Sequence, residues 1–394
     1  MQDVTNYNDG EFFHTNSSHP SSLRITKPMQ RDSFVLSREL CLASPFLTFL
    51  TPARIRVLRE LHEIRNTTDA PSIAELGTLL RLSEHDAALV KDPLQCPRIR
   101  ASVERELERS CTLVDEDYPP RLREIHDPPL VLFLRGRREL LCTPAVAMVG
   151  SRRASRYGLE AAAHFARTLG QAGLTMVSGF ARGVDAAVHR AALDSDASTI
   201  GVLGTGIEVR YPRDHDGLRS EIESRGLLIS EFAPGTPPRP ANFPIRNRVI
   251  SGCCLATIVI EAGPRSGSLI TARMAMEQGR EVFALPGPVF AGGSEGPHRL
   301  IQSGAKLLHS IDDFFEEFPE IVKREISAPV TLHFEEPLRT LLEILNFDTG
   351  LHIDWIEQQS GIQQPALAEA MLELELRGLI RSIPGARYVR RMGA

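Results

Sequence analysis

The middle of the chain holds four short glycine-containing loops, each directly after an apolar run, and three of them also contain serine and arginine. The loops begin at residues 150 (GSRR), 178 (SGFARG), 204 (GTG) and 263 (GPRSGS). Glycine and serine allow a close approach of the backbone, and a helix that begins after such a loop directs N–H groups at an anion. Several such loops at one sheet edge predict a phosphate-binding rim. The predicted contacts in these loops are Gly150, Ser151, Arg152, Ser178, Gly179, Arg182, Gly183, Ser266, Gly267 and Ser268.

A second segment, NFPIRNR at residues 242–248, follows a proline-rich loop. Phe243 offers a ring face on which a base could stack. Arg246 and Arg248 are two residues apart and therefore do not share a helical face. They could hold successive phosphates, or one could face the ligand and the other a carboxylate. A helix start with solvated arginines fits equally well. The predicted contacts of this segment are Asn242, Phe243, Arg246, Asn247 and Arg248.

The sequence matches no known motif for cofactor binding or for nucleophilic catalysis. The dinucleotide fingerprint G-x-G-x-x-G should follow the first strand, but residues 150–155 read GSRRAS, and no P-loop pattern GxxxxGK[ST] occurs. Ser178, Asp185 and His189 could be drawn as a triad, yet the chain has no G-x-S-x-G elbow. Asp185 is better interpreted as a carboxylate at a helix start, which the helix dipole stabilises, and His189 as a packing histidine. We therefore predict no cofactor and no catalytic residue.

The sequence also gives little support for a metal site. The six cysteines form no CxxC pair and no Cys/His cluster with zinc spacing. A two-metal nuclease would need clustered carboxylates, and the strand-end loops offer chiefly Glu231 and Glu261. The sequence predicts no metal site, and the cysteine pattern favours a reduced, cytoplasmic setting.

The charge distribution points to an anionic ligand in the middle of the chain. The protein has 394 residues, with 45 Lys and Arg, 50 Asp and Glu, and a net charge of −5. Residues 121–299 carry 22 basic and 17 acidic side chains, a net charge of +5, between two acidic ends. Forty-one of the cations are arginines, the better bidentate phosphate ligands. The sequence shows neither a signal peptide nor an apolar stretch of membrane-spanning length, so we predict no membrane partner.

Alternating strands and helices must position these loops. Between residues 144 and 310, short β-branched runs alternate with amphipathic segments, and an extra strand is predicted at 130–136. Near-continuous apolar strands separated by helices indicate a parallel sheet covered on both faces. The predicted fold class is therefore α/β, with a doubly wound, Rossmann-like domain. Ligands bind such sheets outside the carboxyl ends of the strands, where these loops lie.

The segments before and after the α/β domain are predicted to form further domains. Residues 33–112 show helical periodicity and are predicted to form an all-α domain of the SAM or helix-hairpin-helix type. Residues 336–394 read helix, helix, helix and β-turn-β, which indicates a winged helix. The α/β domain then covers 113–318, a proline-containing linker covers 319–335, and residues 1–32 are predicted to be a disordered leader.

These motifs together resemble a known family. The longest strings are similar, in this order, to DNA-processing protein A, the DprA/Smf family: SGFARGVDAAVH (178–189), GTGIEVRYPRDH (204–215), NFPIRNRVISG (242–252) and EAGPRSGSLITARMAMEQGREVFALPG (261–287). The segment PPRLREIHDPPLVLFLRG (119–136) ahead of them is similar too. The resemblance covers residues 118–310 strongly and the flanking domains more loosely.

The resemblance implies a protein that binds single-stranded DNA with little sequence preference, protects incoming DNA in natural transformation and loads the recombinase RecA onto it. It also implies a homodimer through the α/β domain, and no enzymatic activity. The family's DNA-contact motifs match Gly150, Ser151, Arg152, Phe243, Arg246 and Arg248, and Arg213 stands where relatives often have lysine. Pro297 and His298 replace the family's usual Cys-Asn, so no contact is assigned there.

Two other functions stay open. A nucleotide or nucleotide-sugar hydrolase could use the same fold, because the GPRSGS loop resembles the glycine-rich loop of such nucleotide binders. Catalysis of that kind would need paired acids with a water between them. The other alternative is a winged-helix regulator that binds DNA through its C-terminal domain.

Overall fold

Three groups of elements follow one another along the chain: helices, a large sheet with its own helices, and a small winged domain. The computed structural model describes residues 36–63, 71–321, 336–346 and 349–390. The predicted leader and most of the predicted linker lie outside these ranges. Within the described ranges, no helix is both long and apolar enough to cross a bilayer.

Helices make up the first part of the chain. They are α1 (Arg38–Ala43), α2 (Pro52–Glu63), α3 (Ile73–Leu80), α4 (Glu84–Lys91) and α5 (Pro97–Glu106). The helix starts follow capping rules: Ser37, Ser72 and Ser83 each accept a backbone N–H, and prolines begin α2 and α5. The apolar faces of these helices form one hydrophobic cluster with Phe133 and Leu228 of the sheet. The predicted helical region is therefore present, and it packs directly onto the sheet.

One large sheet forms the centre of the molecule. Its strands are β1 (Ser110–Thr112), β2 (Val131–Gly136), β3 (Ala145–Val149), β4 (Thr175–Ser178), β5 (Thr199–Val202), β6 (Leu227–Ser230), β7 (Ala256–Val259), β8 (Glu281–Ala284) and β9 (Lys306–Leu307). They lie in the order β1-β2-β6-β5-β4-β3-β7-β8-β9. Strands β3 to β9 are parallel, whereas β2 pairs antiparallel with β6 and with β1. The predicted doubly wound fold is confirmed, with an antiparallel edge added.

Helices cover both faces of this sheet. They are α6 (Pro120–Arg123), α7 (Arg156–Gln171), α8 (Val184–Asp194), α9 (Asp216–Arg225), α10 (Asn242–Gly252), α11 (Gly267–Glu277), α12 (Glu295–Gln302) and α13 (Ile311–Glu317). Alternate side chains of β3 enter different cores, with Val146 and Met148 on one face and Ala147 and Val149 on the other. Burial on both faces explains why this strand is apolar throughout.

The strand order reverses beside β3. The chain adds β4, β5 and β6 on one side of β3 and then returns to place β7 on its other side. The loops after β3 and β7 therefore leave a crevice between them at the carboxyl edge of the sheet. Open α/β sheets bind their ligands at such a switch point.

The C-terminal part is a small winged domain. Its elements are α14 (Leu338–Ile344), β10 (Leu351–His352), α15 (Ile353–Ser360), α16 (Ala366–Leu376), β11 (Ile380–Ile383) and β12 (Arg387–Arg390). Strand β12 lies between β10 and β11. Leu341, Ile356 and Leu374 are fully buried in a hydrophobic cluster that contains only residues of this domain. The predicted winged helix is confirmed, with the short strand β10 added.

Candidate nucleic-acid interface

An open groove of about 720 Å³ lies at the switch point of the sheet. Its walls are residues 149–153 at the end of β3, the start of α10, and residues 263–268 around the start of α11. Arg152, Arg153 and Arg265 line it and are exposed, and none of them has a carboxylate partner within the part of the chain that the structure describes. We call this surface the switch-point groove.

The loop after β3 owes its shape to two glycines. A Cβ at Gly150 would lie 2.6 Å from Cγ2 of Val184, and a Cβ at Gly183 would lie 2.2 Å from the carbonyl oxygen of Ser151. Gly183 also has a φ of 77°, which L side chains rarely adopt. The Val184 N–H donates to the Ser151 carbonyl at 3.2 Å. This packing fixes the loop against the start of α8 and leaves the neighbouring arginine side chains outside.

Glu261, a buried residue that follows β7, anchors the same loop. Its carboxylate accepts the Ser155 N–H at 2.8 Å and also accepts the Ser155 hydroxyl. Ser155 in turn caps α7 by accepting the Gly158 N–H at 3.1 Å. A Cβ at Gly158 would lie 2.5 Å from Cδ of Glu261. The carboxylate is therefore committed to positioning α7.

Phe243 forms the aromatic wall of the groove. The Arg152 guanidinium carbon lies 5.5 Å from the centroid of the Phe243 ring, and the Tyr211 ring lies 5.7 Å from it. Gly204 makes room for this ring, because a Cβ there would lie 2.7 Å from Cδ1 of Phe243. A smaller pocket of about 50 Å³ opens between these side chains and residues 179–182. A cation and a ring face thus lie side by side at the mouth of the groove.

Arg246 is buried beneath the groove. Its guanidinium donates to the Gly179 carbonyl at 2.7 Å and also to the Val202 carbonyl, at the ends of β4 and β5. Burial raises the pKa of the neighbouring Asp185 carboxyl, although the charge of Arg246 opposes that shift. Burial also lowers the pKa of Arg246 to about 10, so its guanidinium stays charged at neutral pH. Arg246 ties two strand ends together and places a positive charge in the floor.

Four other predicted residues shape the helix starts. Asn247 donates through Nδ2 to the Gly267 carbonyl at 3.3 Å and so links α10 to α11. The Ser266 and Ser268 hydroxyls lie 2.7 Å apart, and Ser266 caps α11 by accepting the Ser268 N–H at 3.4 Å. Asn242 is buried at the start of α10, and its Nδ2 has no hydrogen-bond partner among the described atoms. These side chains hold the walls in place.

Arg248 is not part of the lining of the groove. Two of its guanidinium nitrogens donate to Oε1 and Oε2 of Glu231 at 2.8 and 2.7 Å, and Nε donates to Asp127 at 3.2 Å. Burial raises the pKa of Glu231, and the charge of Arg248 opposes that shift. Of the alternatives that the sequence left open, the one in which an arginine faces a carboxylate describes Arg248. We therefore replace its predicted phosphate contact by a structural role.

His189, the base of the possible triad, is engaged elsewhere. The Thr199 hydroxyl donates to a strand carbonyl, so Nδ1 of His189 is the donor to Thr199 Oγ1, 2.7 Å away. Burial lowers the pKa of His189 to about 3, and the ring is the neutral packing histidine that the sequence favoured. Ser178 is also fully buried and donates to the Met148 carbonyl at 2.7 Å. Its predicted DNA contact is likewise replaced by a structural role.

Two predicted arginines lie near the smaller pocket. Arg182 lines this pocket and donates to both carboxylate oxygens of Asp214, at 2.8 and 2.9 Å. Its guanidinium lowers the pKa of Asp214 to about 2. Arg213 is exposed beside this pair and has no carboxylate partner among the described residues. Arg213 is therefore the more available of the two for an anion.

The lining residues that were not predicted from the sequence include Arg153, Arg265 and Tyr211. Arg153 and Arg265 lie in the same glycine-rich loops as predicted residues, so the sequence pattern that predicted those residues could also have predicted these two. No sequence pattern predicts a role for Tyr211, because only the fold brings its ring against Phe243.

Possible metal ligands cluster elsewhere in the molecule. Cys111, Asp115 and Asp117 have ligand atoms within 4.8 Å of one another. Asp115 pairs with Arg38 at 3.0 Å, Asp117 pairs with Arg138 at 2.5 Å, and burial raises the pKa of the Cys111 thiol. A protonated thiol and arginine-bound carboxylates are poor ligands, so we interpret this cluster as structural.

Comparisons with known proteins cover most of the chain. The family model of DNA recombination-mediator protein A matches residues 109–319, and that of the DprA winged helix domain matches residues 327–386. The chain is 41% identical over 283 residues to Protein Smf of Escherichia coli, which covers 70% of this chain and 75% of the relative. It is 45% identical over 220 residues to the DNA processing protein DprA of Streptococcus pneumoniae, covering 55% of this chain and 78% of the relative.

A solved structure agrees with these matches. The X-ray structure of DNA processing protein A from Streptococcus pneumoniae aligns with a TM-score of 0.62 and 38% identity, over 71% of this chain and 95% of that one. Both family models match in the order that the folds described above require. The chain therefore belongs to the DNA recombination-mediator protein A (DprA/Smf) family.

Proposed function

We propose that this protein binds single-stranded DNA in the switch-point groove, with little sequence preference. The observation that carries the proposal is the Arg152 guanidinium 5.5 Å from the centre of the Phe243 ring, at the mouth of an open groove. A cation beside a ring face can hold a phosphate and stack the adjoining base, whatever that base is. The Streptococcus pneumoniae relative is named a DNA processing protein, which supports DNA as the ligand.

The groove also offers the open start of a helix to phosphate. Helix α11 begins at Gly267, where a Cβ would meet nothing within 4 Å, and the position at Gly263 is nearly as open. A phosphate oxygen can therefore approach the backbone at this helix start, where the dipole favours negative charge. The exposed Arg265 stands in the same loop.

An unpaired strand suits this groove better than a duplex. A base must leave its stack before it can lie against Phe243, and in a duplex that step requires unpairing. The exposed lining arginines stand on loops, whereas duplex readers place a helix or a two-stranded ribbon in the major groove.

The alternative function, a nucleotide or nucleotide-sugar hydrolase, has less support. Such chemistry needs two carboxylates around a water. Within the described residues, the lining of the groove contains Asp185 as its acid, and Asp185 lies beside Arg246. Glu261 is bonded to Ser155. We therefore propose binding without turnover.

On the strength of the family, we also propose that the ligand is incoming DNA in transformation, in the cytoplasm, and that the protein protects this DNA and loads RecA onto it. We propose a homodimer through the α/β domain. The sheet ends at the short strand β9, where Leu307 is exposed, and this apolar edge is compatible with pairing. The domain limits 33–112, 113–318 and 336–394 belong to the same proposal.

Fluorescence anisotropy with labelled oligonucleotides tests the proposed function. We expect the single strand to bind more tightly than the matching duplex, and its affinity to fall with salt at a log–log slope of about 0.7 for each phosphate contacted. Phe243→Ala should weaken binding of all sequences by about 1–3 kcal/mol. A flat salt response, or tighter binding of the duplex, would contradict the proposal.

A further inference from the structure

An exposed aromatic ring lies outside the groove, on the loop between β8 and α12. Phe290 is 102% exposed and the adjacent Val289 is 78% exposed, the two most exposed large apolar side chains among the described residues apart from Leu376 of the winged domain. A single exposed apolar residue needs no explanation, but a fully exposed phenylalanine beside a second apolar side chain does. Neither residue has a role in the core or in the groove described above.

The loop that carries Phe290 is held at several points. The Tyr157 hydroxyl donates to the Pro286 carbonyl at 2.9 Å, and Nε2 of His298 lies 3.0 Å from the Gly287 carbonyl. After Phe290 in the chain, the loop is held again, because the Ala262 N–H donates to the Gly293 carbonyl at 2.8 Å. The fold therefore presents this ring to solvent from an anchored loop.

The anchor at Ala262 places the loop beside the wall of the switch-point groove. Ala262 immediately precedes the segment 263–268 that lines the groove, and the Gly292 carbonyl oxygen lies 3.9 Å from the Cβ position of Gly263. Phe290 is two residues from that contact. The loop thus continues the wall formed by Gly263 and Arg265, on the side away from Phe243.

The sheet sets the distance between the two rings. Phe243 packs against Gly204 after β5, and Phe290 follows β8, which lies four strands further along the order β5-β4-β3-β7-β8. With neighbouring strands about 4.8 Å apart, the two loops are roughly 19 Å apart along the carboxyl edge. An extended strand of DNA covers such a distance in a few nucleotides, and the exposed arginines lie between the two ends.

The local charge also suits DNA. The sequence contains no acidic residue between 282 and 294, and Glu295 pairs with Arg299 at 2.6 Å. A strand that leaves the groove past Arg265 would therefore meet an apolar ring without passing a carboxylate on this loop.

We propose that Phe290 is a second stacking platform, which receives a nucleobase where the DNA strand leaves the switch-point groove. This inference rests on the proposed function and adds to it a direction for the strand, from Phe243 across Arg152 and Arg265 to Phe290. Stacking on Phe290 needs the ring face, so it differs from an apolar protein contact, which any side chain of similar volume could make.

Substitutions at Phe290 test this inference in the full chain, with a ladder of oligothymidylates as the ligand. Phe290→Ala and Phe290→Leu should both weaken binding of long oligonucleotides by about five-fold to twenty-fold, the lower part of the range for one stacked base. Phe290→Trp should bind at least as tightly as the parent. Oligonucleotides too short to reach from Phe243 to Phe290 should bind all variants equally. Val289→Ala is the matched control and should bind like the parent.

The results separate the inference from the function on which it rests. If Arg152→Ala loses affinity while Phe290→Ala binds long oligonucleotides like the parent, the second platform is wrong and the groove stands. If neither substitution changes affinity, both are wrong. If Phe290→Leu binds like the parent while Phe290→Ala does not, the contact is apolar and stacking is overturned.

Fluorescence gives an independent readout. The chain has one tryptophan, Trp355 of α15, so Phe290→Trp in a Trp355→Phe background carries its indole at the proposed platform alone. Stacking of a base should quench this indole with the same concentration dependence as binding. An unchanged emission in the saturated complex would overturn the proposal, and circular dichroism should confirm that each variant is folded.

Discussion

Two surfaces of this protein belong to folds that bind nucleic acids, and they carry opposite charge. The switch-point groove presents arginines without carboxylate partners among the described residues: Arg152, Arg153 and Arg265. Helix α16 of the winged domain, the helix that would enter a major groove in such a fold, presents acids: Glu369, Glu373 and Glu375. Its neighbour Arg377 pairs with Glu373.

This contrast indicates that the type of fold does not decide which surface of the protein is suited to phosphate. A winged helix with acids on its third helix repels a DNA backbone, whereas the loops of the α/β domain attract it. Leu372 and Leu376 of α16 are also exposed, so this helix is better suited to a protein partner than to DNA.

The largest expected effect concerns an arginine beside the groove that should not bind DNA. Arg248→Ala leaves Glu231 buried without its bidentate partner, and it should lower the free energy of unfolding by about 3–5 kcal/mol. The affinity for single-stranded DNA should stay close to that of the parent. Urea unfolding and anisotropy measure the two quantities.

Arg339→Ala is the matched control for this prediction. Arg339 pairs with Glu343 on the winged domain, and both side chains are about two-thirds exposed, at 68% and 66%. The loss of this pair should change stability by less than about 1 kcal/mol. If Arg248→Ala abolishes DNA binding in a folded protein, the boundary that we draw around the groove is wrong.

Arg152→Ala tests the groove directly. The loss of a charge-assisted phosphate contact should weaken single-strand binding by about 1.5–3 kcal/mol, ten-fold or more, and should reduce the salt slope. Arg387→Ala removes an exposed arginine from the wing of the C-terminal domain and should leave the affinity nearly unchanged. If both variants lost the same affinity for single-stranded DNA, the two surfaces would not differ in DNA binding.

Acid should destabilise the α/β domain through His189. Its pKa of about 3 in the folded protein lies below the usual histidine value of 6.5, so the unfolded chain binds up to one more proton between these values. The stability that the neutral ring contributes is complete above pH 6.5 and is lost as the pH falls, at up to about 1.4 kcal/mol per pH unit. His189→Gln should have a flatter pH profile between about pH 6 and 5. Parallel profiles for variant and parent would contradict this assignment.

The smallest expected effect is that of removing the winged domain. A chain that ends near Pro329 should keep its affinity for single-stranded DNA within a few-fold of the full chain, because acids of α16 offer no phosphate contact. Circular dichroism should first confirm that the shortened chain is folded. A large loss of affinity would place part of the site on the winged domain.

The sheet could be predicted from the sequence because its central strands are buried on both faces. The apolar run of β3 (Ala145–Val149) stands out for this reason. The strand β1 (Ser110–Thr112) could not be predicted, because three residues, two of them polar, carry no periodic pattern. The antiparallel direction of β2 could not be predicted either, because direction depends on pairing with β6 and not on composition.

The sequence predicted which loops form the site, but it could not predict what each side chain in them contacts. The spacing of Arg246 and Arg248 shows only that they lie on different faces of α10. What each arginine meets depends on Val202 and Glu231, which other strands bring to the helix. The prediction therefore found the right segment and could not distinguish a buried guanidinium from one bound to a carboxylate.

Leu40, Leu58 and Leu76 of the N-terminal helices share one hydrophobic cluster with Phe133 and Leu228 of the sheet. Contacts within a single cluster are lost together, so these helices and the sheet should melt as one cooperative unit. The winged domain has a cluster of its own and can melt separately. We therefore expect the three structural parts to melt as two units, the N-terminal helices with the sheet and the winged domain by itself. The N-terminal helices are packed as a covering layer of the sheet.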